Sequence, residues 1–280
     1  MGDRIYKISL VFLVLFGIFL FSKLFVVESF HIPSESMLPT LMPGDRVIVN
    51  KTCYGTRLSN ILKKKITHAD ITRLPGFSGI DRCDILVFNA IKQNFYRDEL
   101  SFSKSHYVIK RCMGMPGDSL QIIDCRYYAN GQRLSGVFDE GQRVMAEIIA
   151  DSAECAKSFQ DIKAFPFNCG WTLNDLGPLY IPKRGDVVEI NERTMSLYGG
   201  IIRWETPANI VEKDGQYFVN DTLFLSHKFK NDCFFMAGDF AANSTDSRIW
   251  GLVPADFIVG KATRIWFSTA KQSGRIGTKL

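Results

Sequence analysis

The sequence predicts a mainly β protein that one N-terminal helix anchors in a membrane. Three observations support this fold class. A single long apolar run lies near the N-terminus, short apolar runs of strand length recur after it, and Gly, Pro and Asp punctuate those runs as turn formers. The 280 residues are 46% hydrophobic and 22% charged, which excludes a disordered chain and a protein with many membrane spans.

The apolar run extends from Ile8 to Val27 and is long enough to cross a bilayer. Its 20 residues contain one charge, Lys23, and at ~1.5 Å per residue they span about 30 Å, the thickness of the hydrocarbon core. Arg4 and Lys7 precede it, which predicts a cytoplasmic N-terminus and an external remainder. A cleaved signal peptide is the alternative, but no small-x-small cleavage site follows the run.

The rest of the chain is predicted to form a β core with a long insertion. We expect residues 1–7 to be a cytoplasmic N-terminus, 8–27 the anchor, 28–124 and 233–268 one β core, 125–232 a β-rich insertion, and 269–280 a flexible tail. In the insertion, turn signals alternate with strand-like pieces such as Ile201–Trp204, and one helix is expected near Gln142–Ala156. The chain should end in a strand pair within Phe257–Phe267.

The distribution of charges and the spacing of the cysteines argue against several classes of function. The net charge of +5 is scattered, which favours mild attraction to an anionic membrane surface over nucleic-acid binding. The seven cysteines show no C-x-x-C and no zinc-like Cys/His spacing, so we expect neither a metal site nor a cofactor. Cys155 and Cys169 flank a loop-like segment, and whether they pair as a disulfide stays open.

The segment His31–Lys51 presents a candidate nucleophile. Ser36 lies between Pro33 and Pro39, directly after the anchor. A serine hydroxyl is a weak nucleophile at neutral pH and needs a base, usually histidine. None of the four histidines stands in a motif that would supply one, and we expect His68 and His227 to be exposed. A Ser-His-Asp triad is therefore the less favoured alternative.

Lys110 is the other candidate base. The alternation of His106–Cys112 places it on one face with Val108 and Cys112. It is either a rim lysine of an edge strand or a buried lysine held neutral. Burial would be costly, since a pKa depression of three units removes about 4 kcal/mol of stability. A second Ser/Lys pattern, Ser268–Lys271, lies in the tail without partner motifs, and we interpret it as chance.

Four segments, in order, resemble the sequence boxes of type I signal peptidases (leader peptidases). They are Ile32–Leu41 followed by Gly44-Asp45, Arg82–Phe88, Tyr107–Asp118 and Gly238–Pro254. The resemblance implies a Ser/Lys dyad endopeptidase that removes signal peptides from exported preproteins after small residues of the Ala-x-Ala type. It implies that the catalytic domain acts at the outer face of the inner membrane, and the long insertion favours a periplasm as that compartment. Preprotein signal peptides and membrane lipid would be its partners, and the secretion translocon is a candidate partner.

By motif position, the resemblance assigns roles to individual residues. Ser36 would be the nucleophile and Lys110 the general base. Ser34 would lend its hydroxyl to the oxyanion hole beside the Ser36 backbone N–H. Ser244 would hydrogen-bond and orient Lys110.

The remaining assignments concern support and specificity. Asp246 and Arg248 would form a supporting ion pair near the lysine. Shallow apolar pockets that accept small substrate residues would be lined by Ile32, Met37, Leu41 and Ile109. A groove of this kind can bind an extended peptide by strand addition.

The chain departs from the family pattern at three places. Glu35 stands between the two serines where glycine is usual, Cys83 also replaces a usual glycine, and Phe240-Ala241-Ala242 replaces Asn-Arg-Asp. Two alternatives to the general enzyme therefore stay open. One is a conjugative-transfer maturation peptidase of the same family, and the other is an inactive anchored binding protein.

Overall fold

The structure is a computed structural model that describes residues 2–59, 63, 66–94, 99–151, 157, 159, 162, 164–166, 169–272 and 274–280. The helices of these residues are α1 (Gly2–Phe25), α2 (Asp139–Asp151), α3 (Glu192–Glu205) and α4 (Ser247–Trp250). The strands are β1 (Val27–His31), β2 (Asp45–Asn50), β3 (Arg57–Ser59), β4 (Ile71–Arg73), β5 (Ile85–Asn94), β6 (Glu99–Gly114), β7 (Ser119–Ile123), β8 (Arg126–Ala129), β9 (Gln132–Arg133), β10 (Leu176–Tyr180), β11 (Val187–Glu189), β12 (Ile210–Lys213), β13 (Gln216–Val219), β14 (Thr222–Leu223), β15 (Ser226–Lys228), β16 (Cys233–Ala237), β17 (Val253–Pro254) and β18 (Ile258–Ser268). The fold class is mainly β, as predicted.

A seven-stranded sheet in the order β1-β2-β18-β5-β6-β16-β17 carries the site. The sequence predicted a strand pair within Phe257–Phe267, and this was wrong. The segment forms the single strand β18, which pairs with β2 on one side and β5 on the other. Gly260 permits the close approach, because a Cβ there would lie 2.4 Å from the Asn50 carbonyl oxygen.

Both faces of this sheet are covered by apolar side chains. Along β5, Ile85 and Val87 join one buried cluster while Leu86 and Phe88 join another. Side chains of a strand alternate between its faces, so a strand buried on both sides reads as a continuous apolar run. The smaller cluster lies under the Ser36 turn and consists of Ile32, Met37, Leu41, Val47, Val49, Ile85, Val87, Val259, Ala262 and Ile265.

The inserted region contains both helices and strands. Ile201–Trp204, predicted to be strand-like, belongs to α3. The Asn191 side chain accepts a bond from the Thr194 backbone N–H and caps this helix, while Met195, Tyr198 and Ile202 lie buried along it at helical spacing. The strand β7 pairs with β8 and β10 in a separate four-stranded sheet. The change of sheet therefore comes before residue 124, the predicted boundary.

Part of the predicted insertion cannot be compared with the structure. The helix expected near Gln142–Ala156 begins earlier, as α2 at Asp139. Its expected end at residues 152–156 lies outside the described residues. Cys155 is among them, so the pairing of Cys155 with Cys169 also lies outside what the structure describes.

Both ends of the chain differ from their expected limits. α1 starts at Gly2 and ends at Phe25, two residues before the predicted limit, because Val27 already pairs with Asn50 in β1. Its segment Tyr6–Phe25 is long and apolar enough to cross a membrane. The tail, predicted to be flexible, packs against the sheet instead, since Arg275 bonds Asp45 and the Leu280 backbone N–H donates to Thr263.

Candidate active site

Ser36 and Lys110 meet in the structure although 74 residues separate them. Ser36 lies in the turn between β1 and β2, and Lys110 lies on β6. The Lys110 Nζ donates to the Ser36 Oγ over 2.6 Å. The two residues are only 7% and 4% exposed. Because β6 is an interior strand between β5 and β16, the rim interpretation of Lys110 is wrong and the buried one is correct.

The environment of Lys110 makes its amine far more available as a base than in water. Burial lowers the pKa of Lys110 to about 8, the charge of Asp246 opposes this shift, and the charge of Arg248 adds to it. At pH 7, a lysine with that pKa is neutral about one tenth of the time, against about 1 in 2,500 for an unperturbed lysine. The amine can therefore accept a proton near neutral pH.

The surroundings of Ser36 contain the donors that an oxyanion would need. The Ser34 Oγ lies 3.4 Å from the Ser36 Oγ. The Ser36 backbone N–H donates to no acceptor in the described part of the chain, so it is available to a substrate oxygen. The Ser36 carbonyl oxygen accepts a bond from the Phe240 backbone N–H at 3.1 Å, which fixes the turn against the loop after β16.

Gly238 lets this loop approach the turn. A Cβ at Gly238 would lie 2.5 Å from the Ser36 carbonyl oxygen and 2.2 Å from the Ser244 Oγ. Any side chain at this position would therefore push the turn and the loop apart. The glycine of the Gly238-Asp239 pair, which the sequence marked as a turn former, thus serves close packing at the site.

Ser244 is placed differently from the prediction. Its Oγ donates to the Asp246 Oδ2 over 2.7 Å, and among the described residues it forms no hydrogen bond with Lys110. The expected direct orientation of Lys110 by Ser244 is therefore not seen. Ser244 instead acts on Asp246, the carboxylate whose charge raises the pKa of Lys110.

Asp246 and Arg248 form the predicted ion pair, fully buried on both sides. The Arg248 Nε and one terminal nitrogen reach the two Asp246 oxygens at 2.8 Å each. Burial by itself would raise the pKa of Asp246, but the charge and hydrogen bonds of Arg248 hold it below its usual value. The Gly238 backbone N–H also donates to Asp246 at 3.0 Å, so the pair fixes the loop that faces Ser36.

A second ion pair at the site was missed by the sequence reasoning. Arg111 donates to both Asp239 oxygens, at 2.7 and 2.6 Å, and the Thr40 hydroxyl bonds the same carboxylate. The pair joins β6, the Ser36 turn and the loop after β16. No local sequence signal marked this pair, because its two residues lie 128 positions apart.

The predicted pocket residues lie close together, but most of them are beneath the surface. Ile32, Met37 and Leu41 are 1%, 0% and 0% exposed and belong to the smaller core cluster. Ile109 packs against that cluster and keeps partial exposure. Of the four, Ile109 is the one with surface to offer a substrate in this conformation.

The structure shows the surroundings of the three positions that depart from the family pattern. Glu35 is exposed, and its Oε2 lies 3.5 Å from the Asn243 amide nitrogen. Cys83 has a φ of 70°, a left-handed conformation that favours glycine. In the replaced triplet, Ala241 is buried and its carbonyl oxygen accepts a bond from Arg248 at 2.9 Å.

The alternative bases do not reach Ser36. In the described residues, no histidine bonds Ser36. The expected exposure was wrong for both histidines. His227 is 6% exposed and bonds Glu205, and His68 is half-buried and bonds Asp256. Ser268 donates to Asp45 at 2.6 Å, which ties it to the sheet rather than to Lys271.

Comparisons with known proteins agree on one family. The model of the family "Signal peptidase, peptidase S26" matches residues 5–267. A signal peptidase I of Buchnera aphidicola subsp. Schizaphis graminum is 29% identical over 91% of this chain and 73% of its own length. A signal peptidase I of Pseudomonas fluorescens is 32% identical over 87% of this chain and 66% of its own length.

A solved structure is also similar in part. A crystal structure of a signal peptidase I from Enterococcus faecalis is 17% identical and covers 67% of this chain and 100% of that one. Its TM-score of 0.29 is too low to carry an argument about the fold, which rests on the strand pairing described above.

Proposed function

This chain belongs to the signal peptidase family, peptidase S26, and from that premise we propose that Ser36 is its nucleophile and Lys110 its general base. The chain is a membrane-anchored serine endopeptidase that removes signal peptides from preproteins. The single observation that supports the assignment of residues is the 2.6 Å contact between the Lys110 Nζ and the Ser36 Oγ in a buried setting. Neither alternative, an inactive anchored binding protein or a conjugative-transfer maturation peptidase, is needed to explain the similarity of this chain to its relatives.

The proposed reaction begins with the neutral amine of Lys110. It takes the proton of the Ser36 hydroxyl as Oγ attacks the carbonyl carbon of the scissile peptide bond. The Ser36 N–H and the Ser34 hydroxyl stabilise the resulting oxyanion. Lys110 then gives its proton to the leaving amine, and a water molecule activated by Lys110 hydrolyses the acyl-enzyme.

The supporting residues set the basicity of Lys110 through the charges of Asp246 and Arg248. Asp246 raises the pKa of Lys110 while Arg248 lowers it, and the ion pair between them limits the net influence of either charge. Ser244 holds Asp246 by donating to it. We therefore assign Ser244, Asp246 and Arg248 as positioning residues.

The proposed specificity is for small residues of the Ala-x-Ala type. The signal peptide would bind as an extended strand, with Ile109 as a pocket wall. Ile32, Met37 and Leu41 would form the apolar layer beneath that wall, since they are buried in this conformation. Shallow apolar pockets favour small side chains because a larger one would have to displace packed core atoms.

The proposed topology follows the charges around α1. Residues 1–7 would lie in the cytoplasm, the anchor predicted at 8–27 would cross the inner membrane, and the catalytic domain would face the periplasm. The core, 28–124 and 233–268, would carry catalysis, with 125–232 as an inserted subdomain. Membrane lipid would be a partner, as would the translocon that delivers the substrate.

The test uses the full-length protein in detergent with a preprotein that carries an Ala-x-Ala site. Wild type should release the mature product, whereas Ser36→Ala and Lys110→Ala should not do so at a measurable rate. Ser105→Ala and Lys271→Ala change exposed residues and serve as matched controls that should cleave normally. A near-normal rate for Lys110→Ala would overturn the dyad.

A further inference from the structure

A pocket lies between the hairpin β3–β4 and the inserted region. Its volume is about 850 Å³. Tyr54 and Arg73 line it from the hairpin side, and Arg184, Lys228 and Lys230 line it from the insertion. Neither Ser36 nor Lys110 contributes to its lining, so it is separate from the proposed active site.

The pocket is cationic. Four lysine or arginine residues line it, against two aspartates, Asp232 and Asp256. Asp256 already accepts bonds from Trp204, Asn231 and His68. In the part of the chain that the structure describes, the side chains of Arg184 and Lys228 form no ion pair or hydrogen bond. Both residues are exposed, so their charges are available to an anion.

The hairpin side of this pocket is fastened to the end of α1. The Thr56 hydroxyl donates to the carbonyl oxygen of Phe25, the last residue of α1, over 2.5 Å. Tyr54 precedes Thr56 by two residues, so their Cα atoms lie within about 7 Å. The headgroup layer extends roughly 5–7 Å beyond the hydrocarbon core. If α1 spans the bilayer, this wall of the pocket lies at headgroup depth.

Two exposed apolar side chains follow Arg73 in the same hairpin segment. Leu74 is 44% and Phe77 is 87% exposed. The Leu74 backbone N–H donates to the Thr56 carbonyl and the Phe77 backbone N–H to the Thr52 carbonyl. The loop is thus held against the segment that contacts α1, where exposed apolar side chains can enter the membrane interface.

We propose that this pocket binds the phosphate headgroup of an anionic phospholipid, with Arg184 and Lys228 as its cations and Leu74 and Phe77 in contact with the acyl region. Guanidinium and ammonium groups suit a phosphate oxygen, and the apolar loop suits the adjoining chains. The proposal rests on α1 as a membrane span, and it does not depend on which residues cleave the substrate. Its occupant would hold the inserted region against the membrane surface.

Titration of the full-length protein in detergent tests the site. The probes are dihexanoyl-phosphatidylglycerol and the zwitterionic dihexanoyl-phosphatidylcholine, with binding measured by calorimetry. We expect wild type to prefer the anionic lipid. The double variant Arg184→Ala, Lys228→Ala should bind it about 30-fold more weakly, since each cation near an anionic headgroup contributes roughly a fivefold factor.

A matched control removes the same charge elsewhere. Arg133→Ala, Lys213→Ala changes two exposed cations outside the pocket, and it should bind within about twofold of wild type. Ser36→Ala should bind the lipid normally, so a failure of the catalytic proposal leaves this result intact. Wild type should bind the anionic lipid more tightly when its dihexanoyl chains are replaced by dioctanoyl chains. A second variant, Leu74→Ser, Phe77→Ser, should not show this gain in affinity.

Four outcomes would overturn the proposal. Equal affinity for the two lipids would exclude an anionic site, and an equal loss in the control would exclude this pocket. Inorganic phosphate that competes as well as the lipid would indicate a free-phosphate site. A hexaglutamate peptide that binds more tightly than the lipid, with the same dependence on Arg184 and Lys228, would assign the pocket to an acidic protein segment.

Discussion

Two polar clusters lie within the fold of this protein, and each contains buried charged side chains. The site cluster contains Lys110 and the ion pair of Asp246 and Arg248. The second, which we call the Glu205 cluster, consists of His68, Glu205, His227, Asn231 and Asp256. In the Glu205 cluster, Glu205 accepts bonds from His227 and from the backbone and side chain of Asn231 at 2.8 to 3.0 Å.

The difference between them is one unpaired cation. In the described residues Lys110 contacts no carboxylate directly, and its hydrogen bond goes to the Ser36 hydroxyl. A buried charge without a direct partner is destabilised, which shifts its pKa toward the neutral form. A carboxylate surrounded by donors stays satisfied and stabilises the packing around it. Reactivity is therefore expected where the pairing is incomplete, and structural stability where it is complete.

The largest effect should come from removing the unpaired cation. Lys110→Met should lower the cleavage rate about 10³- to 10⁴-fold, because a general base contributes up to roughly that factor. It should also stabilise the fold, since the depression of the Lys110 pKa from 10.5 to about 8 corresponds to about 3 kcal/mol. Rates on a preprotein and denaturant unfolding in detergent measure the two effects.

The pH dependence of that gain follows from proton linkage. The folded-state pKa is lowered, so the unfolded state binds more protons between pH 8 and pH 10.5. The gain from Lys110→Met should be complete below pH 8 and disappear by about pH 10.5. Lys271→Met, at an exposed position, should show no such gain, and a stability loss in Lys110→Met at pH 7 would contradict the argument.

The converse prediction concerns the fully paired cluster. Glu205→Gln keeps the shape but places an amide group among donors, so it should lower the free energy of unfolding by about 3 kcal/mol. The cleavage rate of the folded protein should stay the same, because the cluster does not contact Ser36. Thermal unfolding and single-turnover rates at 20 °C test this; a rate loss without a stability loss would place the cluster in catalysis.

The pH profile of cleavage provides a further test of the difference between the two clusters. Since the neutral form of Lys110 is the proposed base and burial lowers its pKa to about 8, kcat/KM should fall about tenfold per pH unit below that value. Glu205→Gln should leave this profile in place. An unchanged rate from pH 8 to pH 6 would exclude Lys110 as the titrating group.

The smallest effect is expected at Glu35. Glu35 directly precedes Ser36 in the chain, and its exposed negative charge disfavours a nearby oxyanion, although solvent screens it. Glu35→Gly should therefore raise kcat by roughly twofold to fivefold, with the gain shrinking at high salt. Glu35→Gln removes the charge without adding the backbone freedom of glycine, so it separates the two effects. A cleavage rate below that of wild type in both variants would show that Glu35 favours cleavage.

The site could be predicted where the signal is local. The prolines around Ser36 and the apolar neighbours of Lys110 made both residues candidates, and the resemblance of their segments to the family boxes assigned their roles. Arg111 and Asp239 were not found, because their pairing spans 128 positions and each reads alone as a surface charge. The hydrogen bond of Ser244 to Asp246 rather than to Lys110 depends on a loop conformation that no periodicity encodes.

The same distinction holds for the fold. The apolar run at the end of the segment Arg82–Phe88 is a local signal for a buried strand, and β5 begins within it at Ile85. The helix α3 was missed because Gly199 and Gly200 suggest a turn, while capping and burial of its apolar face favour the helix. The docking of the tail was missed because the residue that holds it, Asp45, lies 230 positions from Arg275.

The position of β18 has a consequence for biosynthesis. It lies between β2, which follows the Ser36 turn, and β5, which pairs with the strand of Lys110. The N-terminal and middle strands of this sheet are therefore joined laterally by a strand that begins only at Ile258. Ser36 and Lys110 leave the ribosome before that strand does. A nascent chain that has not yet reached Ile258 therefore holds both residues without the strand that joins their two halves of the sheet.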